Sequence, residues 1–112
     1  MINQLRIYEI FDHNKDAFHA RFRDHAARIM DRYGFRILAM WETRSGERTE
    51  FCYLLAWRDE AEMTGSWERF LADPEWTDIK RITAEDHGSL VGDISNRVLL
   101  PTDYSQAIEG TQ

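Results

Sequence analysis

The chain has 112 residues, a formal net charge of −6 and a sequence pI near 5.1, values that fit one acidic domain with a modest core. A surface adapted to nucleic acid or anionic lipid would carry clustered positive charge, and this composition argues against both partners. The arginines are scattered and have acidic neighbours, as in Arg21, Arg23 and Asp24. This pattern is typical of solvated helix faces.

Cys52 is the only cysteine, so a disulfide within the chain is impossible and an oxidising compartment is not implied. Its place in an apolar stretch favours a small hydrophobic side chain over a nucleophile. The N-terminal residues lack the features of a signal peptide, and no apolar run approaches the roughly 20 residues of a membrane span. We expect a soluble, cytoplasmic protein.

The first half of the chain predicts a strand, a helix and a second strand. The first strand runs from Asn3 to Phe11 and carries apolar side chains on both faces. Apolar residues then recur at helical spacing from Phe18 to Tyr33, and Gly34 follows as a left-handed cap. In the next strand, FRILAMWET, alternation groups Ile37, Ala39 and Trp41 opposite Leu38 and Met40.

The stretch FCYLLAW, residues 51–57, predicts a third strand that is covered on two sides. Its alternate rows are Phe51, Tyr53, Leu55, Trp57 and Cys52, Leu54, Ala56. Both rows are apolar, whereas a strand with one face in water should alternate apolar with polar residues. A hairpin turn at residues 44–48 leads into this strand.

The second half predicts two helical segments and a last strand. The first helix follows Arg58 and Asp59 and ends before Pro74, which then lies in the first turn of a short helix that stops near Gly88. The last strand spans about residues 90–100 and ends at Pro101. We therefore expect one domain over residues 1–101 and a polar C-terminal tail over residues 102–112.

The element order β-α-β-β-α-β predicts an α+β, ferredoxin-like fold, in which helices cover one face of a four-stranded antiparallel sheet. The other face would carry apolar residues such as Trp57 or Leu54, and no further element of the chain remains to cover it. A wide apolar sheet surface normally marks an interface. We therefore expect a homodimer, or a higher oligomer of dimers, packed sheet to sheet as a dimeric α/β-barrel.

Several local patterns together resemble the NIPSNAP family: QLRIYEI, RDHAARIMDRYGFRILAMWET, ADPEW and SNRVLLPTDYS, in this order over nearly the whole chain. The resemblance implies a dimeric α/β-barrel but no settled reaction. In the wider superfamily that the chain resembles, the space between sheet and helices can hold a small apolar or aromatic molecule, and some relatives are oxygenases, isomerases or haem-degrading enzymes. Fold analogy does not establish function.

His25 is the candidate catalytic residue, because it lies on the predicted apolar stripe of the first helix and matches a histidine often found there in NIPSNAP-like chains. A neutral imidazole could act as a general base or contact a ligand. The alternative is a structural histidine bonded to a backbone carbonyl.

Candidate ligand-binding residues are the strand aromatics Tyr8, Trp41, Tyr53 and Trp57, which could stack on a flat ligand or could be plain core. Packing is the expected role of Trp67 and Trp76. Asn96 and Arg97 could bind a carboxylate or brace the tail. The four histidines lack metal-ligand spacing and the glycines are isolated, so we expect no metal and no nucleotide cofactor.

Three functions remain open at this point. The first is a NIPSNAP-like homo-oligomer whose cavity binds a small hydrophobic or aromatic molecule. The second is a cofactor-independent oxygenase or isomerase with His25 as its base. The third is a structural or partner-binding module with a filled core and no pocket.

Overall fold

The computed structural model describes residues 1–108, which form a four-stranded sheet with helices on one face. The strands are β1 (Ile2–Ile10), β2 (Arg36–Ser45), β3 (Arg48–Trp57) and β4 (Val91–Leu99). The helices are α1 (Lys15–Arg21), α2 (Ala27–Arg32), α3 (Glu60–Leu71) and α4 (Pro74–His87), with a 3₁₀ turn at Asp12–Asn14 and a π-helical turn at Phe22–Ala26 between α1 and α2. Residues 109–112, part of the expected tail, lie outside the described residues.

The sheet order is β2-β3-β1-β4, and every neighbouring pair is antiparallel. Because α1, the π turn and α2 connect β1 to β2, and α3 and α4 connect β3 to β4, the order of elements is that of the ferredoxin-like fold. The predicted fold class is therefore confirmed. No helix within residues 1–108 is long and apolar enough to cross a membrane.

The ends of the helices follow their local sequences. Gly34 adopts φ 82°, a left-handed conformation that favours glycine, and it ends the first helical segment as predicted. Asp59 and Asp73 cap α3 and α4 by accepting hydrogen bonds from the backbone N–H groups of Glu62 and Trp76. Pro74 occupies the first turn of α4, where its missing N–H costs nothing.

The inner face of the sheet, which packs against the helices, is formed by the even-numbered residues of β1 and the odd-numbered residues of β3. Register pairs such as Tyr8 with Phe51 and Ile2 with Trp57 define it. Trp57 is fully buried there, so the expectation that the uncovered face carries it was wrong. Leu54, which pairs with Leu5, does lie on the outer face.

A bulge in β2 changes which of its side chains face the helices. Ile37 pairs with inner-face Leu55, whereas Ala39 pairs with outer-face Leu54, so Leu38 is the inserted residue. The predicted grouping of Ile37 with Ala39 and Trp41 was therefore wrong.

No helix or strand of the described chain covers the outer face of the sheet. Its apolar side chains include Leu5, Ile7, Ala39, Trp41, Cys52, Leu54 and Leu99. Trp41 is 50% exposed. Tail residues from Ser105 to Ile108 line a hollow at one end of this face together with Asn3 and Leu54. No described helix or strand lies over the rest of the outer face.

Candidate functional site

A cavity of about 230 Å³ lies between the inner face of the sheet and the helices. Its lining residues come from β1, α1, the π turn, α2, α3, α4 and β4: Arg6, Tyr8, Phe18, Arg21, Phe22, Ala26, Met30, Trp67, Phe70, Leu71, Trp76, Lys80, Val91 and Ile94. Most of these side chains are apolar or aromatic, and three are cationic. Leu71 and Ile94 are both more than half exposed, which gives the cavity an opening to the surface.

Tyr8 is the central polar group of the cavity. Its hydroxyl lies 2.5 Å from the hydroxyl of Tyr53 and accepts a hydrogen bond from Arg6 Nη2 at 3.3 Å. Burial raises the pKa of Tyr53 well above its ordinary value, and the neighbouring Tyr8 adds to the effect, so the Tyr53 phenol stays protonated. The Tyr8–Tyr53 pair thus gives the apolar cavity a neutral group that donates and accepts hydrogen bonds.

Arg6 lies over two aromatic rings and is incompletely hydrogen-bonded. Its guanidinium carbon is 4.4 Å from the ring centre of Trp67 and 5.3 Å from that of Tyr8. Burial opposes its charge, but the phenol oxygens of Tyr8 and Tyr53 outweigh burial and raise the pKa of Arg6. Its Nε is buried and has no hydrogen-bond partner among residues 1–108. A buried donor left unpaired costs about 1–3 kcal/mol.

Arg21 and Lys80 both lie near the ring of Trp76, another residue of the cavity wall. The Arg21 guanidinium carbon is 5.4 Å and the Lys80 nitrogen 5.8 Å from the Trp76 ring centre. Burial lowers the pKa of Arg21, although a guanidinium stays charged in proteins. Arg21 was expected to lie on a solvated helix face, and this expectation was wrong because the side chain lines the cavity.

Gln4 fixes the tryptophans beside the cavity. Its Oε1 accepts hydrogen bonds from Trp57 Nε1 at 2.9 Å and Trp67 Nε1 at 2.8 Å, while its Nε2 donates to Asn96 Oδ1 at 2.6 Å. The amide is buried and uses both oxygen lone pairs. The network therefore holds Trp67, a wall of the cavity, in one orientation.

The four predicted ligand-binding aromatics do not share one environment. Tyr8 lines the cavity, and Tyr53 lies behind it, bonded to its hydroxyl. Trp57 is on the same face but packs against Phe35 and Gln4 instead. Trp41 lies on the outer face, because the bulge in β2 places it opposite Cys52.

His25 does not line the cavity. It lies in a separate surface groove of about 380 Å³ between the first helical segment and α4, where its Nδ1 is 3.1 Å from Arg28 Nη2. The π turn explains the difference, because it holds one residue more than an α-helical turn and thereby shifts the buried stripe by one position, from His25 to Ala26. The predicted approach of His25 to the sheet was wrong.

The cavity residues that the sequence analysis did not select as candidates are three cations and two tryptophans: Arg6, Arg21, Lys80, Trp67 and Trp76. Spacing could have indicated the cations. Arg6 precedes Tyr8 by two positions in a strand, so both lie on one face. Arg21 follows Phe18 by three positions and Lys80 follows Trp76 by four, which are neighbouring positions on a helix.

The remaining candidate residues have local partners. Asn96 accepts the hydrogen bond from Gln4, and Arg97 pairs in register with outer-face Leu5. Burial raises the pKa of the Cys52 thiol, and Glu50 adds to it, which disfavours a thiolate nucleophile. Within residues 1–108, no three His, Cys, Asp or Glu side chains converge as a metal site requires.

The four-stranded antiparallel sheet, the helices on one face and the cavity between them define an α+β protein of the ferredoxin-like class. The sequence profile of the NIPSNAP family matches residues 3–106, and the chain therefore belongs to this family. The match extends past residue 101, the predicted end of the domain.

Solved structures of the same family have the same fold. A NIPSNAP domain protein from Burkholderia xenovorans is 20% identical, with a TM-score of 0.79 over 96% of this chain and 100% of that one. A NIPSNAP family protein from Agrobacterium tumefaciens is 19% identical, with a TM-score of 0.78 over 93% and 95% of the two chains. No curated protein matches the sequence significantly.

An antibiotic biosynthesis monooxygenase also has a similar fold, at 12% identity and a TM-score of 0.59 over 91% of this chain and 99% of that one. Likeness at these identities extends to the fold alone.

Proposed function

We propose that this NIPSNAP protein binds a small apolar or aromatic molecule in the cavity between its sheet and helices. The observation that carries the proposal is the aromatic cavity itself, which opens to the surface and contains the Tyr8 hydroxyl. An apolar protein cavity of about 150 Å³ holds benzene. At about 230 Å³, this cavity suits a molecule of one or two rings.

The construction of the walls supports binding rather than simple packing. Small-molecule sites are typically concave and apolar, with a few fixed polar groups that orient the ligand. Here Trp67 is fixed by Gln4, and Tyr8 is fixed between Arg6 and Tyr53. A pre-formed site of this kind loses little entropy on binding.

We further propose that the protein works as a homodimer packed through its outer sheet face. The row formed by Leu5, Ile7, Leu54 and Trp41 supports this, because a wide apolar surface in water favours association. The cytoplasmic location stays a prediction.

Binding is tested first by native mass spectrometry of the protein purified from its own host, which reports subunit number and any retained mass together. The second measurement titrates the protein with naphthoate or with neutral naphthalenemethanol and follows tryptophan fluorescence, because Trp67 and Trp76 line the cavity. We expect at least one probe to bind with a Kd below about 1 mM.

Two matched alanine substitutions locate the bound probe. Ala26→Leu places a larger side chain in the cavity and so reduces its free volume. Ala20→Leu places the same side chain in the groove that holds His25. We expect the first to weaken probe binding by about tenfold and the second to leave it unchanged. If neither probe binds the wild-type protein, or if Ala20→Leu alone weakens binding, the cavity is not the site.

The enzyme alternative, an oxygenase or isomerase with His25 as its base, would have to use the groove, since the imidazole is not a wall of the cavity. It predicts that His25→Ala abolishes turnover while leaving folding and dimerisation intact. The alternative of a module with a filled core is less well supported, because the described residues enclose a cavity.

A further inference from the structure

The cavity is positively charged in an acidic protein. Among residues 1–108, its walls contain Arg6, Arg21 and Lys80 and no Asp or Glu. Most other basic side chains are paired with a carboxylate: Lys15, Arg23, Arg28, Arg32, Arg36, Arg44, Arg48, Arg58 and Arg81. The three cavity cations form no ion pair with any described residue. Their charge is therefore not compensated by any carboxylate of the described chain, although all three side chains are partly buried.

Arg6 has more hydrogen-bond donors than the described chain uses. One hydrogen bond goes from Nη2 to Tyr8, and the buried Nε–H has no partner in the described chain. A guanidinium carries five N–H donors in a planar fork that matches the two oxygens of a carboxylate. Trp67 and Tyr8 hold this fork in place through their ring faces.

Tyr8, Arg6 and Arg21 line the same cavity. The Tyr8 hydroxyl accepts a hydrogen bond from Arg6, and Tyr8 also opposes the lowering of the Arg21 pKa by burial. An anionic oxygen near this hydroxyl would therefore be close to Arg6, with the Arg21 guanidinium in the wall of the same cavity. The ring of the same molecule would extend toward Phe18, Phe22 and Phe70, the apolar walls.

We propose that the ligand is an aromatic carboxylate, whose carboxylate contacts Arg6, Arg21 and the Tyr8 hydroxyl and whose ring packs among the phenylalanines. Lys80, beside Trp76, adds long-range attraction for the anion. This inference rests on the proposed function, because it names the class of ligand for the same cavity.

The test compares the two probes of equal ring size, naphthoate and neutral naphthalenemethanol, on the wild-type protein. We expect naphthoate to bind at least about tenfold more tightly, as expected for charge-assisted hydrogen bonds. If the alcohol binds equally well or better, the preference for a carboxylate is overturned while the proposed function stands. If neither binds, both proposals fall.

Substitutions then identify the groups that recognise the anion. Arg6→Gln and, independently, Arg21→Gln should each weaken naphthoate binding by about tenfold and change the affinity for the alcohol by less than about twofold. Arg69→Gln is the matched control, since Arg69 is an exposed arginine without a carboxylate partner that lies outside the cavity. Far-ultraviolet circular dichroism checks that each variant is folded.

Equal loss of both probes in Arg6→Gln and Arg21→Gln would contradict the inference, because it would indicate a change of cavity shape rather than loss of charge recognition. An unchanged affinity for naphthoate in both variants would contradict it as well. The comparison of the two probes on the wild-type protein tests the preference for a carboxylate even if one variant fails to fold.

Discussion

At the scale of single residues, the inner face of β1 is distinctive because three consecutive inward positions are polar. Gln4, Arg6 and Tyr8 point toward the helices, where apolar side chains would be the simplest choice. Gln4 and Tyr8 have hydrogen-bond partners in β3, β4 and α3 that the sequence does not reveal. Arg6 lies over the ring of Trp67 in α3. The sequence predicted Tyr8 from its aromatic character, whereas Arg6 is indicated only by its position two residues before Tyr8, and nothing in the sequence indicates Gln4.

Gln4→Leu tests the role of the buried amide. Leucine fills a similar volume but leaves the indole N–H of Trp57 buried without an acceptor and removes the acceptor of Trp67. We expect a loss of about 2 kcal/mol or more in the free energy of unfolding, measured by urea denaturation.

The matched control is Asn96→Ala, which removes the third hydrogen-bond partner of Gln4 from an exposed strand position. This change leaves both indole N–H groups bonded. Because position 96 is exposed, water can replace the Asn96 oxygen as the acceptor for Gln4 Nε2, so we expect a loss below about 1 kcal/mol. A loss in Asn96→Ala equal to that in Gln4→Leu would contradict the assignment of the stabilisation to the indole acceptor.

At the scale of the elements, the sequence predicted the strands and helices because glycine, proline and capping residues mark their ends, as at Gly34 and Pro74. Two single-residue insertions, the π turn and the β2 bulge, were not predictable from local periodicity. Neither contains a residue type that demands it, and both depend on packing against the sheet or on strand pairing. These insertions account for the misplacement of His25 and Trp41.

The junction between α2 and the start of α4 is an ionic cluster. Arg28 and Arg32 donate to the Glu75 carboxylate at 2.6 and 2.9 Å, and Arg32 also donates to Asp73 at 2.8 Å. Tyr33 donates a further hydrogen bond to Asp73 and thereby lowers the pKa of that capping carboxyl. The cluster orients α4, which carries Lys80 and Trp76 into the cavity wall.

Glu75 gives this cluster a defined pH dependence. Hydrogen bonds from Arg28, the largest cause, and from Arg32 lower the pKa of Glu75 from 4.5 to about 2. Because the pKa is lower in the folded state, the stabilisation is complete above pH 4.5 and is lost as the pH falls through about 2. We expect Glu75→Gln to be less stable than wild type at pH 7, and the difference to shrink between these two pH values.

Urea denaturation midpoints at several pH values across this range measure the difference. Glu85→Gln is the control, because Glu85 lies on the same helix and makes one exposed ion pair with Arg81. We expect a smaller destabilisation there, since exposed pairs contribute little. A difference between wild type and Glu75→Gln that stays constant or grows toward low pH would refute the role of the cluster.

At the scale of the whole molecule, the two faces of the sheet differ in whether helices cover them. The inner face is covered by helices, and its phenylalanine and tyrosine rings pack against one another at centroid distances of 4.8–5.6 Å around Phe51, Tyr53 and Phe22. The outer face has an apolar central patch, which includes Leu5, Ile7, Leu54 and Trp41, and no described helix or strand covers it. The sequence predicted this asymmetry from the two apolar rows of residues 51–57, although it could not identify which row faces the helices.

Adjacent residues of β2 provide a matched test of the homodimer. Met40 and Trp41 are each 50% exposed, but Met40 pairs with inner-face Tyr53 and Trp41 with outer-face Cys52. An arginine at Trp41 would introduce a buried charge into a sheet-to-sheet interface, whereas an arginine at Met40 would remain on the helix side of β2, the edge strand.

We expect the wild-type protein and Met40→Arg to sediment as dimers at micromolar concentration. Trp41→Arg should raise the dimer dissociation constant at least about 30-fold, because a tryptophan that is buried at an interface contributes about 2 kcal/mol or more to binding. A monomeric wild-type protein, or a Trp41→Arg variant that stays as dimeric as Met40→Arg, would exclude association through this face.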